Sequence, residues 1–209
     1  MLLLALLAGG RMTTMADVEE APYTVIEKDG AFELRDYAPQ IVADVIMDDF
    51  NDASSKAFRL LFDYISGDNK AQTEIAMTAP VTQEAASQSI AMTAPVSQEP
   101  VGDRWRFSFM MPATFTMATT PIPNNPEITL REIPARQMAA IRYSGRWTEK
   151  RYQDHKKKLE TWMATKGVTP TGEAIWARYN APFQLWFLRR NEVLIPVHVH
   201  HSTVPNKTN

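Results

Sequence analysis

The chain has 209 residues, 44% hydrophobic and 22% charged, which are globular proportions for one domain with its own core and argue against disorder, collagen and a polytopic membrane protein. Its 22 Lys and Arg against 24 Asp and Glu leave a net charge of −2, without the basic excess that a phosphate backbone rewards, so no nucleic-acid partner is expected. Cysteine is absent, which removes disulfides, zinc–thiolate centres, iron–sulfur clusters held by thiolates and thiol catalysis.

Residues 1–7 form a Leu/Ala run that ends at Ala8-Gly9-Gly10, too short for the roughly 20 residues a membrane helix needs. It reads as the remnant of an export signal, although no Lys or Arg precedes it, and a fortuitous tail is the alternative. Residues 1–21 are therefore expected to be a signal remnant or tail, 22–197 the domain, and 198–209 a mobile polar tail. The expected location is periplasmic or secreted, with the cytoplasm as the alternative. No second long apolar segment follows, so stable membrane insertion of the domain is not expected.

Strands at 23–27 and 32–35 flank Asp29-Gly30, a hairpin signal, and a third strand is predicted at 41–47. Ala57, Phe58, Leu61, Phe62 and Ile65 then recur at three- and four-residue steps and stop at Gly67, which predicts a helix with a glycine C-cap. Strands follow at 74–77, 104–110, 128–132 and 138–143. A second helix carries Tyr152, His155, Leu159, Trp162 and Met163 and stops at Gly167, and strands at 174–179 and 192–197 complete the set. The order is α+β and mostly antiparallel, because helices alternate too sparsely with strands for a doubly wound sheet.

Two repeats run through this pattern. Phe32-Glu33-Leu34-Arg35-Asp36 lies over Ile128-Thr129-Leu130-Arg131-Glu132 at an offset of 96, and residues 41–45 lie over 137–141 at the same offset. Two copies of a strand, strand, helix unit predict a distorted β-barrel of two pseudo-symmetric halves, each with one helix, whose closure would remove exposed edges. The second repeat is local: Ile75-Ala76-Met77-Thr78-Ala79-Pro80-Val81 recurs at residues 90–96. It is a duplicated strand end, or else it places Met77 and Met92 beside a soft ligand.

The sequence contains no G-x-G-x-x-G, Walker loop, G-x-S-x-G or H-E-x-x-H, so no catalytic residue is expected. His155 falls within the apolar stripe of its helix, where it is either a core histidine bonded to a backbone carbonyl or a weak candidate metal ligand. His198, His200 and His201 sit in the C-terminal tail. On the first helix Phe62, Ser55 and Arg59 rotate progressively away from the core side. That flank suits a flat ligand stacked on Phe62 with an acid group on Arg59, and a solvated Arg beside a core helix is the plain alternative.

Several motifs in order resemble the SOUL haem-binding protein family. They are residues 57–69 leading into 75–81, then Phe109-Met110-Met111-Pro112, Pro121-Ile122-Pro123-Asn124-Asn125-Pro126, Tyr143-Ser144-Gly145-Arg146-Trp147, and Tyr179-Asn180-Ala181-Pro182-Phe183 with residues 187–193. The resemblance spans roughly residues 22–197. It implies a two-half barrel, similar to the effector-binding domains of some bacterial regulators, and non-covalent binding of haem or another porphyrin in an apolar cleft, as a carrier, buffer or sensor. The alternative is an effector-sensing or protein-interaction domain that takes other amphipathic small molecules. By resemblance, Ser55, Phe58, Arg59, Phe62 and Asp63 face the cleft, with Tyr179 opposite. Where some relatives carry a histidine before the strand tyrosine, this chain has Asp36 before Tyr37, so that place offers no imidazole to iron.

Overall fold

The computed structural model describes residues 18–48, 52–72, 86–181 and 183–198. Strands β1 (Glu19–Glu20), β2 (Tyr23–Asp29), β3 (Phe32–Tyr37) and β4 (Gln40–Met47) lead into helix α1 (Asp52–Ile65). After it come β5 (Asn69–Lys70), β6 (Thr93–Ala94), β7 (Val96–Val101), β8 (Arg104–Met110), β9 (Ile122–Pro123), β10 (Thr129–Ile133) and β11 (Arg136–Tyr143). Helix α2 (Glu149–Lys166) is followed by β12 (Thr169–Pro170), β13 (Ile175–Arg178), a 3-10 turn (Trp186–Leu188) and β14 (Asn191–His198). The predicted strand at 74–77 and the first copy of the local repeat lie outside the described residues.

The fold is α+β, with one large antiparallel sheet ordered β10-β4-β8-β7-β13-β14-β11-β3-β2 and β12 added on β14. The expected barrel closure is not found: among the described residues the order ends at β10 and β2, so the sheet is open. The edge problem that made closure attractive is met locally instead. A register shift between Val25 and Glu27 bends β2, and Glu27, Lys28 and Asp29 put charge along it, which discourages pairing with another strand.

Beneath the order lies a regularity of position. β4 and β11 begin and end 96 residues apart, at Gln40 and Arg136 and at Met47 and Tyr143. If β3 is exchanged with β10, β4 with β11, β7 with β13 and β8 with β14, the order from β10 to β3 reads backwards. Consequently β3 pairs with β11 and β10 pairs with β4, so each opening strand lies beside the later one.

Both helices cover the same face of the sheet. Ala43, Val45, Phe107 and Phe109 pack with Leu61, Tyr64 and Ile65 of α1, while Ala139, Ile141, Val193 and Ile195 pack with Leu159, Trp162 and Met163 of α2. Register joins the two patches: Phe109 lies opposite Val96, Gln98 opposite Trp176, and Trp176 opposite Val193. Because successive strand residues alternate, the other face carries Met110, Met138, Ala140, Ile175, Ala177 and Leu194, a third buried cluster.

Chain contacts start slightly before residue 22. Glu19 and Glu20 pair with Thr93 and Ala94, and Ala21 is buried.

Candidate functional site

Helix α1 buries Ala57, Leu61, Tyr64 and Ile65 and leaves a neighbouring flank towards water. Phe58 bridges the two sides: it meets Phe109 edge-on at 5.3 Å between centroids and stacks on Phe62 at 6.0 Å and 12°. Phe62 is 43% exposed, whereas a ring of this size gains by burial. Ser55, Arg59 and Asp63 are exposed around it. Arg59 and Asp63 form no ion pair with each other among the described residues, and Arg59 stands three residues before Phe62 on α1, a spacing that makes the two neighbours on the helix surface. The Tyr64 hydroxyl donates to the Pro121 carbonyl at 2.7 Å and ties α1 to the segment after β8; its burial raises its pKa.

Tyr179 is elsewhere. It packs against the sheet face turned away from the helices, beside the cluster that contains Met138 and Leu194, so the structure does not bring it to the α1 flank. Its hydroxyl donates to Glu192 Oε2 at 2.8 Å, and the Arg190 guanidinium lies 3.8 Å from its ring centroid. Arg35 donates to both oxygens of Glu192, at 2.7 and 3.1 Å, and Arg35 and Glu192 are fully buried. Burial of Glu192 favours the neutral acid, but hydrogen bonds from Arg35 and Tyr179 and the charges of Arg35 and Arg190 outweigh it, so the carboxyl stays below its ordinary value.

Beyond the end of β8, Met110 from the far-face cluster and Met111 and Phe115 from the α1 cluster line, with Met117, a cleft of about 430 Å³. The volume lies in the range of small-molecule sites, and thioethers let a wall adapt to its occupant. Ile41, Met111 and Phe115 also pack in the α1 cluster, so cleft and helix share a core. The charged residues lining it are Glu19 and Glu132; Glu19 Oε1 accepts the Ala113 backbone N–H at 2.7 Å. Sequence reasoning missed this cleft. The Met110-Met111 pair and Met117 carried a signal, but nothing local placed β1 and β10 beside them.

His155 is half-buried. It lies parallel on Tyr143 at 3.8 Å, and its Nδ1 donates to the Arg151 carbonyl at 2.7 Å, which leaves Nε2 without its proton in the neutral ring. Burial lowers its pKa, and the nearby Lys158 and Arg151 charges add to this. His198 ends β14 opposite Thr169, while His200 and His201 lie outside the described residues. Asp36 pairs in register with Thr24 and Gln137 on β3. Met92 is exposed and Met77 lies outside the described residues. No three His, Cys, Asp or Glu side chains gather as a metal site among the described residues.

Residues 18–196, most of the chain, match the family described as SOUL heme-binding protein. The chain belongs to this family. No curated protein matches the sequence. Among solved structures, the C-terminal domain of EcmrR is similar, with a TM-score of 0.55 at 13% identity over 84% of this chain and 98% of that one. EcmrR in a DNA complex matches at 0.56 and 14% identity, covering 82% of this chain and 59% of the longer one. A hydrolase from Listeria innocua matches at 0.52 and 11% identity, over 83% and 94% of the two chains. At these identities the likeness is one of fold, which this SOUL family member shares with proteins of different description. None of its described helices is long and apolar enough to cross a membrane.

Proposed function

We propose that the protein binds haem or another tetrapyrrole non-covalently on the exposed flank of α1, as a carrier, buffer or sensor rather than an enzyme. The observation that carries this reading is Phe62, an exposed ring held parallel to Phe58, with the exposed Arg59 three residues before it on the helix. A porphyrin face stacks on the ring, and a peripheral carboxylate meets Arg59. Phe58 backs the stack, and Ser55 and Asp63 form its rim. Tyr179, on the far face of the sheet, stands outside this surface. Family membership supports the ligand class.

Apolar burial at roughly 25 cal/mol per Å² supplies several kcal/mol for one porphyrin face, but association costs offset much of it, so the expected affinity is on the order of micromolar. With Asp36 in place of an imidazole and His155 on α2, stacked on Tyr143 of the α2 cluster and not on the α1 flank, stacking supplies the binding and iron adds little. Soret titrations with haem and with metal-free porphyrin should give equal affinities. A strong preference for haem would mean that an iron ligand is present, and binding of neither would end this reading.

A second reading takes the cleft between β1, β8 and β10. Its Met and Phe walls with Glu19 and Glu132 as the charged lining favour a cationic amphipathic molecule over a dianionic porphyrin. That reading, an effector-sensing module, gains if the protein binds a lipophilic cation and ignores both porphyrins. We also read the two strand–strand–helix units as pseudo-symmetric halves, on the support of the matched offsets and the reversible strand order. Export to the periplasm or outside rests on residues 1–7 alone.

A further inference from the structure

The loop between β13 and β14 carries a set of side chains that tetrapyrrole binding on α1 leaves unused. Phe183 is 89% exposed, and Leu185, Trp186, Phe187 and Leu188 follow at 48–58%. They occupy the crest of one short segment, where the 3-10 turn turns the rings outward, with Trp186 and Phe187 edge to face at 5.6 Å. Exposed apolar side chains in such a cluster mark a contact surface.

Cations surround the base of the loop. The exposed Arg146 places its guanidinium 5.5 Å from the Trp186 centroid, and Arg178 and Arg189 lie 5.2 and 4.2 Å from that of Trp147. Neither Arg146 nor Arg178 pairs with a carboxylate among the described residues. Arg178 is turned inward, 4.2 Å from the centroid of the buried Trp176 and donating to Gln98 Oε1 at 3.0 Å, so Arg146 is the exposed cation of this group.

We propose that this loop docks the protein on an anionic phospholipid surface, with Trp186, Phe187 and their apolar neighbours in the headgroup–acyl boundary and Arg146 at the lipid phosphates. An aromatic and leucine crest above a cationic collar is the arrangement that interfacial anchoring requires. Neutral or cationic membranes would not satisfy the collar. A second copy of the chain fits the crest poorly, because a stable protein interface takes roughly 800 Å² and 20–30 residues from each partner, and the five apolar residues of this loop fall short. The attachment is peripheral, and it is independent of whether α1 binds a tetrapyrrole.

The test is co-sedimentation of the full chain with phosphatidylcholine vesicles, with and without about 30% phosphatidylserine, together with tryptophan emission. The wild type should sediment with the anionic vesicles only. W186S/F187S should lower the bound fraction about tenfold or more, and R146A about fivefold, while W186F binds normally but loses part of the emission blue shift. Circular dichroism melting checks the fold, and F183S, at a position that is 89% exposed, replaces the double variant if that one unfolds. Wild type left in the supernatant with both vesicle types overturns the proposal, as does W186S/F187S binding like wild type. A concentration-dependent dimer in light scattering, abolished by W186S/F187S without any vesicle binding, would reassign the loop to self-association.

Discussion

Phe62 keeps 43% of its surface in water although its neighbour Phe58 reaches the core, so it is the apolar area most directly available on α1. Phe62→Ala is expected to weaken porphyrin binding about tenfold or more, roughly 1.4 kcal/mol, in a Soret titration. Arg59→Ala should weaken it less, because a rim cation remains partly solvated. His155→Ala should leave porphyrin affinity nearly unchanged, since that ring is stacked on Tyr143. Loss of haem binding with retained metal-free porphyrin binding in His155→Ala would instead identify an iron ligand. Glu192 sets a different dependence. Its carboxyl lies below the ordinary range when folded, so its contribution is complete above about 4.3 and is lost as pH falls through the folded value. Glu192→Gln leaves the buried Arg35 with Glu33, at 2.8 Å from its Nε, as its remaining carboxylate, and should cost about 3 kcal/mol at neutral pH, the lower end for a broken buried pair. Urea midpoints measured from neutral pH down to about 3 should show the wild type losing this advantage in acid, and the two curves converging.

Helix α2 shows how an element can be readable from one end to the other. Its apolar positions Tyr152, Leu159, Trp162 and Met163 are all buried, and it stops at Gly167, whose φ of +66° lies in the left-handed region. Val168 then donates to the Met163 carbonyl at 3.0 Å and closes the turn. Gly167→Ala forces an L side chain into that conformation and should cost about 1 kcal/mol, measured by urea denaturation. The long strands β3, β4, β10 and β11 were equally legible, because alternation and the 96-residue offset mark them independently, while β2, β8, β13 and β14 rested on alternation and β-branched or aromatic content. Two-residue strands such as β1, β5 and β9 carry no period and left no trace, and Pro100 hid β7. At the site the α1 flank could be drawn on a helical wheel. The opposition of Tyr179 could not, because which sheet face it meets depends on pairings with β14 that local sequence does not express. The Met-lined cleft was hidden for the same reason: its walls come from β8, the segment after it, and β10.

At the scale of the molecule, no pairing closes β10 onto β2 among the described residues, and the edge strand β2 is protected in another way. The bulge at Val25 and Glu27 and the bridge from Lys166 to Glu27 at 2.6 Å cover β2 without a partner strand. Between the edges, three buried clusters rest on a single continuous sheet, so no layer can be lost alone. Thermal unfolding should therefore be one cooperative transition, with calorimetric and van't Hoff enthalpies in agreement; two resolved endotherms would show independently stable parts.

The placement of β3 beside β11 and of β10 beside β4 reaches beyond equilibrium stability. A ribosome that has released everything up to β9 has produced β3 and β4 without the strands that flank them on one side, and the gaps are filled only when β10 and β11 emerge. Nascent chains are thus committed late, and during that wait the vacant positions are open to the matching strands of another copy. Cut between β9 and β10, the polypeptide should yield two pieces that fail to fold apart yet reassociate by complementation, each supplying the strand that the other lacks.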